Sequence, residues 1–409
     1  MTITSPPRPP RSDHRSPEEG LREQALIEEA RRRARRRRRR GAAVVVLVAG
    51  IAVAIGFGHT TGRSHATRAD HGGGPAGAPS AVGKSRIAFA TSQALESVGS
   101  DGSGLQTIAH CPATKVPLPV CGVFEPAWSP DGRETAYVLG TWSWPGTGGQ
   151  MRLTLYVRGV TGGSARRLAD CVTCGEQHGS RLSWSPDGTR IVYGRRAGNQ
   201  GQEALWVVDV ASGRSQPITG CPHSSCAYFD RAWSPDGRRI AFARLVGWAS
   251  ALYTVRPDGS GLTRITSRGQ IGDPQWSPDG HQLAFEDGDD IFVANANGSH
   301  ERLIVRREPG NGRGQPSWSP DGSKLAYFKT QGGYSAEVWT VHANGSDKHR
   351  LYHSGCCIEI SAAPIWSPDG TKIAFSANSA NGTFVIGANG RDLRRVSPDP
   401  AVALSWQPS

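Results

Sequence analysis

The sequence of 409 residues predicts a β-propeller of seven four-stranded blades, preceded by a single transmembrane helix. Two observations predict the propeller. The pentapeptide W-S-P-D-G occurs six times, and the 52 Gly and 28 Pro suit many tight turns better than long helices. A third observation predicts the helix, because an uncharged apolar stretch directly follows a run of arginines near the N-terminus.

The apolar stretch covers residues 41–58, and 18 helical residues span about 27 Å, near the thickness of the hydrocarbon core of a bilayer. Nine of the ten residues at 31–40 are Arg, which favours a cytoplasmic location for this flank. We therefore expect a single-pass protein of the cell membrane. Its predicted parts are an Arg-rich cytoplasmic tail (1–40), a signal-anchor helix (41–58), a Gly/Ala/Ser-rich flexible linker (59–83) and an extracytoplasmic propeller (84–409). The alternative is a cleaved signal peptide, although no A-x-A cleavage site follows the apolar run.

The formal net charge of +12 suggests a nucleic-acid-binding protein at first, but its distribution argues against that class. Residues 1–40 contain 13 Arg and 6 acidic residues, so most of the excess charge lies in the tail. Such a run orients the membrane helix and attracts anionic lipid headgroups. We expect the membrane, and not a nucleic acid, to be its partner.

The repeat is marked by one tryptophan per unit at intervals of 40 to 56 residues. The seven positions are Trp128, Trp184, Trp233, Trp276, Trp318, Trp366 and Trp406. In each unit a strand is expected to end at the Trp, and Ser-Pro-Asp-Gly then suits a type I turn. Triplets such as Ile240-Ala241-Phe242 begin the second strand, and Gly-rich hairpin turns such as D-G-S-G separate the third from the fourth.

The two ends of the repeat region complete each other. Residues 83–89 match a second strand with no Trp-ending strand before it, whereas the strand at Trp406 has no partner strands after it. We expect this last strand to close the ring as the inner strand of the first blade, which removes exposed edges. Seven blades result, with six as the alternative.

The six W-S-P-D-G copies and the D-G-S-G turns resemble the WD40-like (PD40) repeat of the TolB-type propeller family over residues 84–409. The resemblance implies a propeller and, loosely, a binding role in the cell envelope. A propeller supports many functions, so the fold alone does not choose among them.

The cysteines occur as local pairs in loops between a fourth strand and the next blade, which favours disulfides in an exported domain. The pairs are Cys111 with Cys121, Cys171 with Cys174, Cys221 with Cys226, and Cys356 with Cys357. Each loop also holds a histidine: His110, His178, His223 or His353. Cys and His are metal ligands, but an oxidised disulfide beside an exposed His is the favoured interpretation, and no metal or other cofactor is expected.

Aromatic residues on long loops of the same face are the candidate ligand-binding residues, since exposed aromatics often anchor ligands. They are Trp142, Trp144, Trp248 and Tyr334. The acidic residues Glu286, Asp287, Asp289 and Asp290 are interpreted as a solvated turn, with a cation site as the alternative.

The expected function is a binding module for a protein or glycan of the cell envelope. The sequence has no G-x-S-x-G elbow, P-loop or dinucleotide fingerprint, so a binding protein is favoured over an enzyme. The alternative is a carbohydrate lyase or hydrolase centred on the channel. A sensor that passes occupancy to the Arg-rich tail ranks last.

Overall fold

The computed structural model describes residues 85–111, 121–142, 151–171, 182–197, 202–220, 226–247, 249–266, 268–308, 311–331, 335–354, 360–378 and 382–408. Secondary structure in these ranges consists of strands and turns. No helix within them is long and apolar enough to cross a membrane. The predicted tail, membrane helix and linker lie outside the described residues.

The described strands form seven antiparallel four-stranded sheets, which are the predicted seven blades. Blades 1 and 2 contain β1 Arg86–Ala90, β2 Ala94–Gly99, β3 Gln106–His110, β4 Cys121–Trp128, β5 Glu134–Trp142, β6 Met151–Gly159 and β7 Arg166–Cys171. Blades 3 and 4 contain β8 Ser183–Trp184, β9 Arg190–Ala197, β10 Gln202–Asp209, β11 Ser215–Pro217, β12 Cys226–Trp233, β13 Ile240–Val246, β14 Ala249–Val255 and β15 Thr263–Arg264. Blades 5 and 6 contain β16 Ile271–Trp276, β17 Gln282–Asp287, β18 Asp290–Asn295, β19 Arg302–Val305, β20 Asn311–Trp318, β21 Lys324–Gln331, β22 Ser335–His342 and β23 His349–His353. Blade 7 contains β24 Ile360–Trp366, β25 Lys372–Ala377, β26 Gly382–Gly387 and β27 Arg394–Ser397, and the last strand is β28 Ala403–Trp406.

The C-terminal strand closes the ring as predicted. β28 pairs antiparallel with β1, with Ile87 opposite Trp406 and Ala90 opposite Ala403, so blade 1 has the order β28-β1-β2-β3. The alternative of six blades is therefore excluded. Each Trp-ending strand contacts the Trp-ending strands of both neighbouring blades, and β28 contacts β24 and β4. These seven strands consequently form the inner wall around a central channel.

The hydrophobic core is divided among the seven interfaces between adjacent blades. The second strands explain this arrangement, because their side chains alternate between the two faces of the sheet. In β13, Ile240 and Phe242 pack towards blade 3, whereas Ala241 and Ala243 pack towards blade 5. Small alanines on one face thus leave room for the large side chains of the next blade.

The Trp side chains join neighbouring blades by hydrogen bonds as well as by packing. The indole N–H of Trp276 donates to the carbonyl oxygen of Ala232 in the preceding inner strand at 3.0 Å. Equivalent bonds run from Trp128, Trp184, Trp318 and Trp366 to the preceding blade. A buried backbone carbonyl is satisfied in each case, which packing alone would not achieve.

The Ser-Pro-Asp-Gly turns are regular type I turns. In the first one, Gly132 N–H donates to the Ser129 carbonyl at 2.9 Å, and the Ser129 hydroxyl donates to the Asp131 carboxylate at 2.6 Å. The Gly has a positive φ of 65°, as the position after such a turn requires. All seven core clusters and the ring closure lie within residues 85–408, and residues 80–409 form one compact unit. This part of the chain therefore contains everything that it needs to fold alone.

Candidate functional site in the channel wall and on the loop face

The two faces of the ring differ in regularity, because strands alternate in direction. The turn face carries the turns after first and third strands, namely the Ser-Pro-Asp-Gly turns and the Gly-rich hairpins. The loop face carries the connections after second and fourth strands. Turn-face geometry repeats from blade to blade, since the same Ser-to-Asp hydrogen bond recurs in all six turns. Variation suited to a specific ligand is therefore found on the loop face and in the channel.

The inner strands contain a β-bulge formed by the third and second residues before the Trp. The register shifts at this point in blades 2, 4, 5, 6 and 7, so two residues of the inner strand oppose one residue of the second strand. Four non-glycine residues there adopt a left-handed backbone with φ between 46° and 54°: Glu125, Asp230, Asp273 and Gln315. Such a conformation costs roughly 1–2 kcal/mol per residue, and its clustering marks candidate functional sites.

Three of the four polar bulge residues, Asp230, Asp273 and Gln315, lie in the adjacent blades 4, 5 and 6, whereas Glu125 lies in blade 2. The same position is Ala363 in blade 7 and Ala403 in blade 1. The carboxylates of Glu125, Asp230 and Asp273 are each only 7% exposed. The fold tolerates alanine at this position, so the acidic side chains are not required for ring closure.

Carboxylates link the bulges of adjacent blades. Asp230 accepts a hydrogen bond from the backbone N–H of Asp273 at 3.0 Å, and Glu286 of β17 accepts one from the backbone N–H of Gln315. Each carboxylate therefore satisfies a backbone donor that the bulge removes from the strand ladder.

Electrostatics at this side of the channel disfavour a full set of negative charges. Burial raises the pKa of Glu286 well above its ordinary value, and the nearby carboxylates of Asp273, Asp230 and Asp289 raise it further. The hydrogen bond from Gln315 opposes this shift but does not cancel it. Glu286 is thus a half-buried acid whose pKa is raised, so it retains its proton to higher pH than an exposed glutamate.

A buried arginine lies in the same inner strand as Asp230. Arg231 follows Asp230 at the position that other blades fill with Pro or Leu, and it is 2% exposed. Its Nε and Nη1 have no hydrogen-bond partner within the part of the chain that the structure describes. The channel wall of blades 4 and 5 therefore combines buried charges of both signs.

The four acidic residues at 286–290 flank the turn between β17 and β18, as the sequence suggests, but they are half-buried and engaged by neighbouring groups. Asp287 accepts the backbone N–H of Gln270 at 3.1 Å, and Asp289 pairs with the Arg307 guanidinium at 3.1 Å. Asp290 accepts the backbone N–H of Arg307. Among the described residues no group of three or more His, Cys, Asp or Glu side chains is arranged to hold a metal ion.

The structure describes few of the predicted ligand-binding residues. Trp142 ends β5 on the loop face, but its side chain, Trp144, Trp248 and Tyr334 lie outside the described residues. The ligand-binding role of these aromatics stays a prediction.

The cysteine and histidine predictions are met in part. Cys111 and Cys121 form a disulfide with a Cα–Cα distance of 5.7 Å, which ties the outer strand of blade 1 to the inner strand of blade 2. His353 lies 3.2 Å from the Glu337 carboxylate in blade 6, which blade 7 separates from His110 in blade 1. His178, His223 and the side chains of the other six cysteines lie outside the described residues.

The sequence interpretation missed the bulge residues, although a signal for them exists. A proline stands two residues before the Trp in E-P-A-W, D-P-Q-W, Q-P-S-W and A-P-I-W. Proline inside a strand is confined to edges and bulges. The inner strand is an edge strand of its sheet, so the recurrent proline is compatible with a bulge there and points to the residue before it as a candidate.

Comparisons with known proteins agree with this fold. The model of the TolB beta propeller domain (PD40) matches residues 84–359, more than half of the chain. No curated protein sequence gives a match. TolB from Acinetobacter baumannii is structurally similar at 16% identity and a TM-score of 0.48, over 80% of this chain and 67% of that one.

Two solved enzymes share the fold at low identity. An oligogalacturonate lyase from Vibrio parahaemolyticus is 15% identical with a TM-score of 0.51, over 76% of this chain and 84% of that one. Prolyl oligopeptidase B from Galerina marginata is 14% identical with a TM-score of 0.55, over 75% of this chain; the match spans 48% of the peptidase, about half its length. At these identities the likeness concerns the fold alone. The match of the family model, by contrast, is decisive: the chain belongs to the TolB beta propeller (PD40) family.

Proposed function

We propose that this protein is a membrane-anchored, extracytoplasmic propeller that binds another protein of the cell envelope through its loop face and the adjoining channel wall. One observation carries the proposal. Three homologous residues of the adjacent blades 4, 5 and 6, Asp230, Asp273 and Gln315, hold a strained left-handed backbone in the inner strands, at a position that two other blades fill with alanine.

The chemistry of this wall favours a partner with a basic segment. Asp230 and Asp273 are buried, Glu286 is half-buried, and the three lie near one another. A Lys or Arg side chain that enters the channel there therefore gains charge-assisted hydrogen bonds in a poorly solvated place. Trp142 and Trp144 on the loop face would supply apolar anchors beside it.

The test is capture of the partner from cell-envelope extract by immobilised residues 84–409, with identification by mass spectrometry. The double variant Asp230→Asn, Asp273→Asn keeps the shape of both side chains and removes two charges. We expect it to lose the captured protein, and we expect Trp142→Ala with Trp144→Ala to weaken capture. The matched control is Asp258→Asn, an exposed aspartate of a turn-face hairpin, which should capture normally. Equal capture by wild type and the double variant would refute the proposed site.

A channel-centred carbohydrate lyase or hydrolase is the second candidate, and Glu286 is the observation that favours it. A half-buried carboxyl with a raised pKa is suited to act as a general acid. Residues 84–409 should then degrade one member of a polysaccharide panel, and Glu286→Gln should abolish that activity. If no polysaccharide is cleaved, the binding role stands alone.

A further inference from the structure

The outer rim of the turn face has exposed leucines that the repeat does not require. Each blade has a buried apolar residue in its fourth strand or directly after it, such as Ile108 in blade 1 and Ile265 in blade 4. Three positions before it, the seven blades have Leu105, Ala165, Ser215, Leu262, Glu301, Lys348 and Leu393. Since Ser, Glu and Lys are accepted there, packing does not explain why three blades place a leucine that is 48% exposed.

Two of these leucines lie on contiguous segments of adjacent blades. Leu393 precedes Arg394, whose guanidinium donates to the carbonyl oxygen of Asp101 at 2.9 Å in the hairpin that leads to Leu105. Lys372 reaches the same hairpin, with its Nζ 3.2 Å from the Ser100 hydroxyl. We name the surface formed by Leu105, Leu393, Arg391, Arg394 and Lys372 the leucine patch.

The rim around this patch carries the positive charge of the propeller. The seven segments from the last residue of each third strand to the second residue of each fourth strand contain 11 basic and 6 acidic residues, a net charge of +5. Residues 84–409 as a whole have a net charge of +4, so the rest of the propeller is slightly acidic. Arginine is well matched to phosphate groups because of its planar fork of donors.

Several rim arginines keep their charge uncompensated. Arg394 bonds to the Asp101 carbonyl, Arg264 to the Thr266 carbonyl at 3.0 Å, and Arg395 to the Pro398 carbonyl at 3.1 Å. A backbone carbonyl orients a guanidinium without neutralising it. The field of these arginines therefore remains available to an anionic surface.

The position at which the chain enters the propeller favours a membrane as the anionic surface that the leucine patch contacts. Ser85 lies on the turn face, where its carbonyl accepts a hydrogen bond from the Ser100 backbone N–H at 3.0 Å. Only 26 residues, 59–84, separate Ser85 from the predicted membrane helix. The leucine patch surrounds the point of entry, because Arg86 donates to the carbonyl of Gly104, next to Leu105, at 2.6 Å.

We propose that the leucine patch docks on the headgroup region of an anionic phospholipid bilayer. The leucines insert at the boundary between headgroups and acyl chains, and the arginines bind phosphate groups. Docking in this way turns the loop face and its end of the channel away from the membrane. The inference draws on the predicted membrane anchor but not on the proposed partner binding.

The test uses sedimentation of residues 84–409 with phosphatidylcholine vesicles that contain or lack phosphatidylglycerol. We expect binding to the anionic vesicles, weakened by high salt. Leu105→Ser with Leu393→Ser should reduce the partition coefficient about tenfold. Each of Arg391→Gln and Arg394→Gln should reduce it about fivefold. The matched control is Leu262→Ser, which follows the same D-G-S-G turn in blade 4 and is equally exposed.

The outcomes separate a lipid surface from other partners. Loss of vesicle binding in the double leucine variant, with normal binding of Leu262→Ser and an unchanged thermal unfolding midpoint, supports the patch. Absence of binding to anionic vesicles overturns it, as does equal weakening by Leu262→Ser. Binding that soluble polyphosphate displaces and that the leucine substitutions leave unchanged also overturns it, in favour of an anionic polymer. No protein partner is present, so failure of this assay is distinct from failure of the proposed function.

Discussion

The hairpin glycines on the turn face allow a quantitative test of how tightly adjacent blades pack at the rim. Gly298 and Gly345 occupy the same place in two Asn-Gly-Ser turns, with φ values of 85° and 89°. Their backbone hydrogen bonds match, since each N–H donates at 2.8 Å to a carbonyl three residues earlier. They differ in the space beside them. A Cβ on Gly298 would lie 2.4 Å from the carbonyl oxygen of Ile265 in the preceding blade, whereas one on Gly345 would lie 3.5 Å from that of Ile304.

The expected magnitudes follow from these two geometries. Alanine in a left-handed conformation costs about 1–2 kcal/mol, which applies equally to Gly298→Ala and Gly345→Ala. The contact at 2.4 Å is with backbone, so the rim must move to relieve it, at an additional cost of about 1–3 kcal/mol. We expect Gly298→Ala to lower the free energy of unfolding by that additional amount beyond Gly345→Ala.

The assay is urea unfolding of residues 84–409, followed by tryptophan fluorescence and circular dichroism, with the change taken from the shift in midpoint at constant slope. Gly345→Ala serves as the control because it shares the turn, the φ and the hydrogen bonds. Equal destabilisation by both substitutions would show that the hairpin of blade 5 does not press on the outer strand of blade 4, and would refute the reasoning.

Four further predictions concern closure, the disulfide and two kinds of carboxylate. Deletion of residues 403–409 should open the ring, because β1 then loses its partner strand β28 and exposes an unpaired edge. Size-exclusion chromatography should show an expanded or aggregated protein, and unfolding should lose its cooperativity. Replacing Cys111 and Cys121 together by Ser should lower the free energy of unfolding by about 2–3 kcal/mol, and added reductant should then have no effect on the double variant. The hydrogen bond from the Ser129 hydroxyl lowers the pKa of Asp131, and Ser hydroxyls act similarly in the other turns. The stabilisation from these ionised Asp side chains is therefore present above the unfolded-state pKa near 4 and is lost as the pH falls through the lower folded-state pKa values. Urea midpoints from pH 6 to 2 should show the decline. Glu286 behaves in the opposite way, because folding raises its pKa, so the stability that its protonated form contributes is lost as the pH rises through the folded-state pKa. Glu286→Gln should therefore be more stable than wild type at pH 8 but not at pH 4. Equal gains in stability at both pH values would contradict this prediction.

The regular features of the fold were predictable from the sequence because each has a local signature. Ser-Pro-Asp-Gly specifies a turn by its own backbone preferences, and an Ile-Ala-Phe triplet alternates between two buried faces. The incomplete repeats at residue 83 and Trp406 imply closure. These signals require no knowledge of neighbouring blades.

Features of the candidate site depend on contacts between blades and were not predictable in the same way. Whether Glu286 lies in a solvated turn or beside the bulge of the next blade is decided by how blades 5 and 6 meet, which residue spacing does not reveal. The same holds for the indole of Trp276, whose acceptor belongs to another blade. Recurrent X-Pro pairs before the Trp were the one local trace of the bulges.

The central claim is that the loop face is the protein-binding surface, whereas the turn face serves the fold and faces lipid. The most direct measurement is site-specific photo-crosslinking in living cells with a photoreactive phenylalanine analogue placed at exposed positions of either face. Val246 and Val402, on the loop face, are 38% and 49% exposed, and Leu262, on the turn face, is 48% exposed. We expect a protein adduct of defined mass from the loop-face positions and no protein adduct from position 262. Protein adducts from position 262 without any from the loop face would contradict the account.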